Sequence, residues 1–458
     1  MTEDAPKEGP AARFVQRCFE PIDNASLVAF RVVLAGCLLF EHVRFWGSGI
    51  WQQEFHDTVF HLKYYGFAWV EAFPPAGLNV VYLALAISCV MVLVGAFYRV
   101  GAVIMFSSWT YLFLLDATTY RNHHYLLCLL AAFLIFLPAH RSFSVDARRN
   151  PSIRTDTTPR WTVDLLRFQM LLVYFFAGVA KLDPDWISGR VIKTIFAAED
   201  HPQAIAEFLQ QDWVGLFFAW SGLLFDLLVG FALLWKRTRL WAFLAAGGFH
   251  LTNGLFLVSV GIFPWFALLA STIFFEPNWP RTVFSKFFTD MRRNVPVEPA
   301  PNTLAGRHYG IALVLIVYAA IQIALPFRQH LYPGRTSWTH EGHRWAWRMK
   351  LVDKQVVTFK VTVVDPATGT REDVQLRRLL APWQIDRVAK QPDLLLQFVR
   401  YCDRTILKGK DYPIYAYSLL TLNRHRAQLL VDPNVDLRHL EWSLAPKDWL
   451  LPFEPDPR

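Results

Sequence analysis

The sequence has little charge for its length. Asp, Glu, Lys and Arg make up 18% of its 458 residues, against roughly 25% in soluble domains. Hydrophobic residues make up 53% and are grouped in long runs. A soluble protein of this size does not need so many apolar runs of membrane-spanning length. We therefore expect an all-α polytopic membrane bundle, with a mixed α/β extramembrane region at its C-terminal end.

Cysteine is also scarce, and its placement does not suggest a disulfide framework. The five cysteines are Cys18, Cys37, Cys89, Cys128 and Cys402. Three of them lie inside apolar runs, and only Cys402 lies in the long polar C-terminal region. We expect no structural disulfide.

Several motifs that carry chemistry elsewhere are missing. The chain has no HExxH motif and no CxxC pair, so we expect no metal. It has no Walker loop, GxGxxG or GxSxG motif, which gives no support for a nucleotide-binding protein or a serine hydrolase. The net charge of +8 comes mainly from short loops between apolar runs, so we expect no nucleic-acid partner. The first 26 residues lack the apolar core of a secretory signal, and the first membrane helix should act as its own insertion signal.

Nine apolar runs approach the roughly 20 residues of a membrane span. The two runs that meet at residue 258 are the hardest to divide into two spans, because Ser259 and Gly261 leave room for only a very tight turn. Eight spans is therefore the alternative. The runs are Leu27–Trp46, Leu78–Phe97, Gly101–Leu115, Tyr125–Leu137, Val163–Ala180, Trp213–Trp235, Leu240–Leu257, Val258–Phe275 and Tyr309–Phe327.

Positive charge is unevenly distributed between alternate loops, which predicts the orientation. With nine spans and a cytoplasmic N-terminus, the cytoplasmic segments hold most of the basic residues. The opposite loops hold only Lys63, Arg121, Lys181, Arg190 and Lys193. We expect a multi-pass protein of the inner or plasma membrane, or of the endoplasmic reticulum membrane in a eukaryote. The cytoplasmic residues are Arg13, Arg17, Arg99, Arg141, Arg148, Arg149, Arg154, Arg160, Lys236, Arg237, Arg239, Arg281, Lys286, Arg292, Arg293 and Arg307.

Three parts of the chain follow from this arrangement: a cytoplasmic segment over residues 1–26, a membrane domain over 27–327, and a lumenal or periplasmic α/β domain over 328–458. In the last part, Gln355–Val364 and Arg371–Leu376 are predicted to pair as a hairpin. Pro382–Leu407 has helical spacing. Further strands are expected at Tyr412–Leu422 and Gln428–Val431.

Lys181 ends an apolar run where an ionisable residue is costly unless it is paired, snorkelling or functional. One interpretation is a lysine that snorkels to the interface. The other is a base, since desolvation favours the neutral amine. Asp183 and Asp185 follow closely and could either pair with the ammonium or cap a turn with Pro184.

A second polar cluster opens another apolar run at Arg121–His124. His123 could cap or pack a helix end, or this donor-rich turn could stabilise a developing oxyanion. His250 and Asn253 share a helical face, and either an interhelical hydrogen bond or catalysis would explain them. Asp226 has the same two interpretations. His340 and His343, with Glu341 between them, give only a weak metal signal, and a solvated loop is the default.

These motifs resemble the vitamin K-dependent γ-glutamyl carboxylases and the wider group of membrane proteins that share their transmembrane domain. The segment that supports the resemblance most strongly is Tyr174–Trp186, YFFAGVAKLDPDW. The resemblance covers nearly the whole chain. The other segments, in the family's order, are Pro21–Arg31, Trp109–Asp116, Asn122–His123 with Tyr125–Leu126, Ser144–Asp146, Phe249–His250, Pro277–Pro280 and Asp432–Asp436.

The resemblance implies a mechanism. In the family, the lysine of the Tyr174–Trp186 motif is the base that activates reduced vitamin K, and Lys181 matches it. The histidine of the Asn-His turn supports the oxygenated intermediate, and His123 matches it. Oxygen and carbon dioxide are co-substrates, a peptide glutamate is carboxylated, and the quinone leaves as the epoxide. Asn122, Asp185, Trp186, His250 and Met349 are expected to contact the quinol; Met349 ends a segment, Arg344–Met349, similar to the family stretch near the quinone ring.

Two departures from the animal members stand out. Animal members have a longer C-terminal portion and recognise a basic-amphipathic propeptide, whereas this chain ends soon after the mixed region, so we do not expect propeptide recognition of the animal kind. Residues 47–77 contain no cysteine, so the disulfide that joins the first outer loop to the outer domain in animals is missing. The leading hypothesis is nevertheless a vitamin K-dependent γ-carboxylase with coupled epoxidase activity, whose partners are the bilayer, the quinol and a glutamate-containing polypeptide. The alternatives are a quinol oxygenase that does not carboxylate, and a non-catalytic lipid-binding membrane protein.

Overall fold

The computed structural model describes residues 9–198, 202–256, 261–285 and 304–456. A helix occupies each of the nine predicted apolar runs, and short helices and two strands lie before and between them. In chain order these elements are α1 Pro10–Cys18, β1 Pro21–Asp23, α2 Ala25–Gly47, α3 Pro75–Val94, α4 Tyr98–Leu115, α5 Asn122–Phe136, α6 Val145–Arg149, β2 Thr157–Pro159, α7 Trp161–Ala180, α8 Pro184–Ile187, α9 Arg190–Ala197, α10 Gln203–Leu209, α11 Asp212–Leu234, α12 Arg239–Phe256, α13 Phe263–Ala270, α14 Trp279–Phe284 and α15 Gly306–Phe327.

Six of these helices, within the described residues, are long and apolar enough to cross a membrane: α2, α3, α4, α7, α11 and α15 with its following turn. The chain is therefore a multi-pass membrane protein, but the count of nine full spans is not confirmed. α5 has 15 residues, which at ~1.5 Å per residue falls short of the ~30 Å hydrocarbon core. α13 together with the turn that follows it, Phe263–Phe274, is another short apolar helical segment. Residues 257–260, where two predicted spans meet, lie outside the described residues, as do Lys286, Arg292 and Arg293.

One end of the bundle is closed by polar contacts. β1 pairs with β2 in antiparallel register, with Ile22 opposite Thr158. The Arg281 guanidinium lies 2.8 Å from Asp23 and 3.0 Å from Asp156. Arg31 is 1% exposed and donates to the carbonyl oxygens of Ala139 and Phe143. These contacts satisfy buried groups that would otherwise be costly, and they hold the helix ends together.

The C-terminal region contains a four-stranded antiparallel sheet in the order β4-β3-β5-β6. The predicted hairpin is present, with Val363 opposite Glu372. The predicted helical stretch is two helices, because Pro392 begins the second one. The elements are α16 Thr336–Thr339, β3 Lys354–Val364, β4 Arg371–Asp373, α17 Leu376–Leu379, α18 Pro382–Lys390, α19 Pro392–Cys402, β5 Ile414–Leu422 and β6 Gln428–Leu429.

Buried polar contacts join the C-terminal region to the helical bundle. The Gln384 amide donates to Asp116 Oδ2 at 2.9 Å and to the Phe60 carbonyl at 2.8 Å. The Gln397 amide and the backbone of Lys63 exchange hydrogen bonds of 2.7 and 3.0 Å. The apolar core is continuous across this junction, so the two parts pack as neighbours.

Candidate functional site

Helices α7 and α11 approach closely because glycines lie between them. A Cβ atom on Gly178 would be 2.7 Å from the backbone nitrogen of Leu227. A Cβ atom on Gly230 would be 2.8 Å from the side chain of Leu171. Small residues at a membrane helix interface allow such close backbone contact. The consequence is that the end of α7 faces the middle of α11.

This close packing brings Lys181 to Asp226. Lys181 caps the C-terminal end of α7, and its Nζ lies 2.5 Å from Asp226 Oδ2. Lys181 is 5% exposed and Asp226 is 4% exposed. The lysine therefore does not snorkel to solvent, and its carboxylate partner comes from α11 rather than from the adjacent turn. The indole of Trp186 lies against the same amine, with its ring centroid 4.9 Å from Nζ.

A cavity of about 500 Å³ opens beside this pair. Its walls come from α7, α8, α9, α11, α12, α13 and the stretch at Met349, and most of the side chains are apolar or aromatic. Three of the predicted quinol-contacting residues line it: Trp186, His250 and Met349. The polar groups that face the cavity include Lys181, Asp226, Tyr174, Ser221, Thr252 and Asn253. A largely apolar cavity with a few convergent polar groups is typical of a small-molecule site.

His250 takes part in a hydrogen-bonded chain across three helical segments. The Tyr174 hydroxyl lies 2.8 Å from His250 Nε2 and 3.0 Å from the Ser271 hydroxyl. Ser271 in turn donates to the Ala267 carbonyl. The interhelical interpretation of His250 is therefore correct, and the same residue also lines the cavity.

His123 lies one aromatic layer away from the cavity. Its imidazole stacks on Phe263 at a centroid distance of 5.5 Å and an interplanar angle of 28°, and Phe263 lines the cavity. His123 itself is not among the lining residues. Asn122 does not line the cavity either: its amide donates to the Arg348 carbonyl at 2.7 Å, which fixes the backbone next to Met349. The contact of Asn122 with the quinol therefore stays a prediction.

Asp183 and Asp185 face the C-terminal region instead of Lys181. Asp183 lies 2.5 Å from Arg335, and Asp185 accepts from Asn423 at 2.9 Å and pairs with His425 at 3.0 Å. Burial raises the pKa of Asp185, but the bonds from His425 and Asn423, with Arg335, outweigh it, so the pKa is lowered. Asp185 does not line the cavity; it fastens the turn after α7 to the C-terminal region.

One group of side chains in the described residues has metal-ligand geometry. Ligand atoms of Glu41, His123 and His124 lie within 4.8 Å of one another. The Arg44 guanidinium already binds both oxygens of Glu41, at 2.8 and 2.6 Å. A cation beside this guanidinium would be repelled, since like charges in a poorly solvated site interact strongly. The expected absence of a metal stays a prediction.

His340 and His343 gave a weak metal signal in the sequence. Among the described residues, they do not belong to a group of side chains with metal-ligand geometry. Their ring centroids are 4.9 Å apart, but His343 Nδ1 contacts the His340 carbonyl. Burial, with the Arg344 charge, lowers the pKa of His343 to about 3. Glu341 pairs with Lys447 at 3.5 Å. His343 and Glu341 are therefore engaged with protein groups, whereas His340 Nδ1 is buried without a hydrogen-bond partner in the described part of the chain.

Sequence reasoning left two features of the site open. It did not choose between two roles for Asp226, although a lone carboxylate in the middle of an apolar helix requires a partner. It also did not single out Tyr174, which lies about two helical turns before Lys181 on the same helix. Tyr174 could have been found from the 3.6-residue period, because it and Lys181 are seven residues apart.

Together, the fold and the site describe a polytopic membrane protein whose apolar cavity contains a buried lysine–aspartate pair. Comparison with known families agrees with this description. Residues 19–279 match the HTTM domain family, and residues 307–456 match the family described as "Vitamin K-dependent gamma-carboxylase, lumenal domain". The chain belongs to the vitamin K-dependent gamma-carboxylase family. No solved structure matches it.

Proposed function

We propose that this protein is a carbon–carbon lyase, a peptidyl-glutamate γ-carboxylase that depends on reduced vitamin K and also forms the vitamin K epoxide. The observation that carries the proposal is the Lys181–Asp226 pair, buried at the wall of an apolar cavity of about 500 Å³. The family membership supports the same reaction.

The cavity residues fit a hydroquinone of the phylloquinol or menaquinol type. A naphthoquinol ring system is flat and apolar with two hydroxyl groups, and the cavity offers aromatic walls with a few polar groups. Trp186, His250 and Met349 would contact the ring. When bound, the quinol supplies the reducing equivalents and, on reaction with O2, the strong base that lets CO2 replace a γ-hydrogen of glutamate, with the epoxide and water as co-products.

Lys181 is the group placed to take a proton from a quinol hydroxyl. Its amine faces the cavity and is buried, and an amine accepts a proton only in its unprotonated form. Asp226 stabilises the amine's position and can carry the proton onward, since the two groups share a hydrogen bond of 2.5 Å. The apolar walls exclude water that would otherwise quench a strongly basic species.

His123 remains the second proposed catalytic residue. Its imidazole stacks on Phe263, which forms part of the cavity wall. A displacement of that single ring would bring the histidine to the cavity, where it would stabilise developing negative charge.

The proposed orientation places the N-terminus in the cytoplasm and the site on the lumenal or periplasmic side. The domain division stays that of residues 1–26, 27–327 and 328–458. Two observations support a shared end for the site and the C-terminal region: Asn122 bonds to Arg348, and Asp185 pairs with His425. A glutamate-containing polypeptide could therefore approach from the side of the C-terminal region.

Incorporation of radiolabelled bicarbonate tests the proposal. The full chain in nanodiscs is supplied with reduced vitamin K, O2 and a short glutamate-rich peptide, and both peptide label and vitamin K epoxide are measured. We expect both products in the wild type and in Lys360→Ala, a control that removes an exposed lysine of β3. We expect both products to form at least about 100-fold more slowly in Lys181→Ala.

Each remaining outcome has a definite meaning. Epoxide without peptide label would replace the proposal with quinol oxygenation alone. Quinone binding without either product would indicate a lipid-binding protein. Equal label in wild type and Lys181→Ala would contradict the assigned role of the lysine.

A further inference from the structure

Four exposed arginines lie at the end of the bundle that is closed by polar contacts, opposite the C-terminal region. Helix α4 begins at this end and finishes next to Asp116, which binds Gln384 of the C-terminal region. Helix α5 runs in the opposite direction, from Asn122 to Phe136. The arginines belong to the first turn of α4 and to the segment that follows α5. We call them the basic cluster: Arg99, Arg141, Arg148 and Arg149.

Two members of the basic cluster lie close to one imidazole. The Arg99 guanidinium donates to the Ile135 carbonyl in the last turn of α5, which holds it at the junction of the two helices. Burial and the charge of Arg99 lower the pKa of His140 to about 4, and the charge of Arg141 acts in the same direction. The imidazole is therefore neutral at pH 7, and both guanidinium groups lie near it.

The charges of the basic cluster are not neutralised within the described residues, where none of its members forms an ion pair. Asp146 lies among them, but its carboxylate accepts from the backbone amides of Phe97 and Tyr98, each at 2.8 Å. Further carboxylates at this end of the bundle already have basic partners: Glu20 pairs with Arg160, Asp164 with Arg167, and both Asp23 and Asp156 with Arg281. The cluster therefore keeps a net positive charge.

Exposed aromatic rings lie beside the basic cluster. Phe97 is 62% exposed and Phe136 is 71% exposed. The Arg149 guanidinium lies over the Phe97 ring, 5.1 Å from its centroid. With 15 residues, α5 is about 22 Å long, so it falls short of the ~30 Å hydrocarbon core. A short span is accommodated by local thinning of the bilayer and by long side chains that reach the interface, which brings lipid headgroups towards these arginines.

We infer that the basic cluster binds the phosphate of an anionic phospholipid such as phosphatidylglycerol, with the acyl chains against Phe97 and Phe136. Guanidinium groups bind phosphate oxygens through paired hydrogen bonds, and basic groups at the ends of membrane helices attract acidic headgroups. The uncompensated charge favours such a lipid over phosphatidylcholine, whose headgroup carries its own cation. Among the described residues, no member of the cluster lines the Lys181 cavity, so the inference does not depend on the proposed reaction.

The binding of a fluorescent phosphatidylglycerol to the full chain in neutral detergent tests the inference, with phosphatidylcholine carrying the same label as the reference lipid. The variant is Arg141→Gln/Arg149→Gln, because among the described residues neither side chain donates to a backbone carbonyl that its loss would leave unpaired. We expect this variant to bind phosphatidylglycerol about tenfold more weakly than wild type, equivalent to about 1.4 kcal/mol. Its binding of phosphatidylcholine should be unchanged.

The matched control is Arg13→Gln/Arg17→Gln, which makes the same charge change on exposed arginines of α1 at the same end of the bundle. It should bind phosphatidylglycerol like wild type. Equal losses in the two double variants would show a general effect of net charge and overturn the assigned site. Equal affinity of the wild type for the two lipids would also overturn it. Displacement of the labelled lipid by inorganic phosphate at an equal concentration would assign the cluster to a free anion instead.

Discussion

The buried pair of Lys181 and Asp226 shows that charged residues can be costly for stability and still useful for catalysis. A single charge at this depth would be strongly destabilising, and the opposite charge at 2.5 Å offsets most of that cost. The same proximity allows a proton to pass between the two groups. A base that must be neutral at one moment and protonated at the next benefits from such a partner.

Removal of one member of the pair should destabilise the protein more than removal of both. Asp226→Ala leaves the lysine buried without a partner, and we expect a loss of about 3–5 kcal/mol. The double variant Lys181→Met/Asp226→Leu should recover most of this loss, because it leaves no unpaired charge. Thermal unfolding in a fixed detergent measures both. A double variant that is less stable than Asp226→Ala would show that the two residues are not coupled.

At the scale of elements, the space inside the cavity depends on which residues of α12 line it. Gly248 lines the cavity, and no heavy atom lies within 4 Å of a Cβ atom placed there. Gly247 has the same open surroundings but does not line the cavity. A side chain introduced at Gly248 would therefore enter the cavity, whereas one introduced at the adjacent Gly247 would lie outside it.

Gly248→Leu should fill part of the cavity and weaken quinol binding. We expect its KM for reduced vitamin K to rise about tenfold, which corresponds to about 1.4 kcal/mol. Gly247→Leu, the matched control, should keep the wild-type KM. Steady-state epoxide formation at varied quinol concentration gives both values. If the two variants behave alike, the quinol does not occupy this cavity.

The sequence predicted the elements better than their contacts. Each predicted apolar run contains a helix, because backbone groups in the membrane must be satisfied within the segment, and long stretches such as Trp213–Trp235 contain no proline to interrupt them. The hairpin at β3 and β4 was visible from its β-branched residues and its turn. The closeness of α7 to α11 was not visible, since it depends on Gly178 and Gly230 meeting large side chains of the opposite helix. The partner of Lys181 follows from that contact, so it could not be chosen from sequence.

At the scale of the whole molecule, two acidic residues fasten the helical bundle to the C-terminal region. Asp183 and Asp185 come directly after the cavity lysine and bind Arg335, His425 and Asn423. The sequence showed these carboxylates but placed them near Lys181, because residues adjacent in sequence were the natural candidates. Their true partners are more than 150 positions away, and no local pattern indicates them.

This attachment should weaken in acid. The pKa of Asp185 is lowered in the folded protein, so its stabilising contribution is complete above the ordinary Asp value of about 3.9 and is lost as pH falls through the lowered pKa. We expect the thermal stability of the wild type to fall below about pH 4, and Asp185→Asn to show a shallower pH dependence there. Glu372→Gln, which changes an exposed carboxylate of β4, serves as the control. Identical pH profiles for wild type and Asp185→Asn would contradict this role.

The most direct test of the account is the rate of vitamin K epoxide formation by Lys181→Ala at saturating quinol, with quinol binding measured on the same preparation. General base catalysis contributes about 10²–10⁴-fold. We therefore predict a rate at least about 100-fold below wild type with quinol binding retained. A variant that binds quinol and forms the epoxide at the wild-type rate would contradict the account.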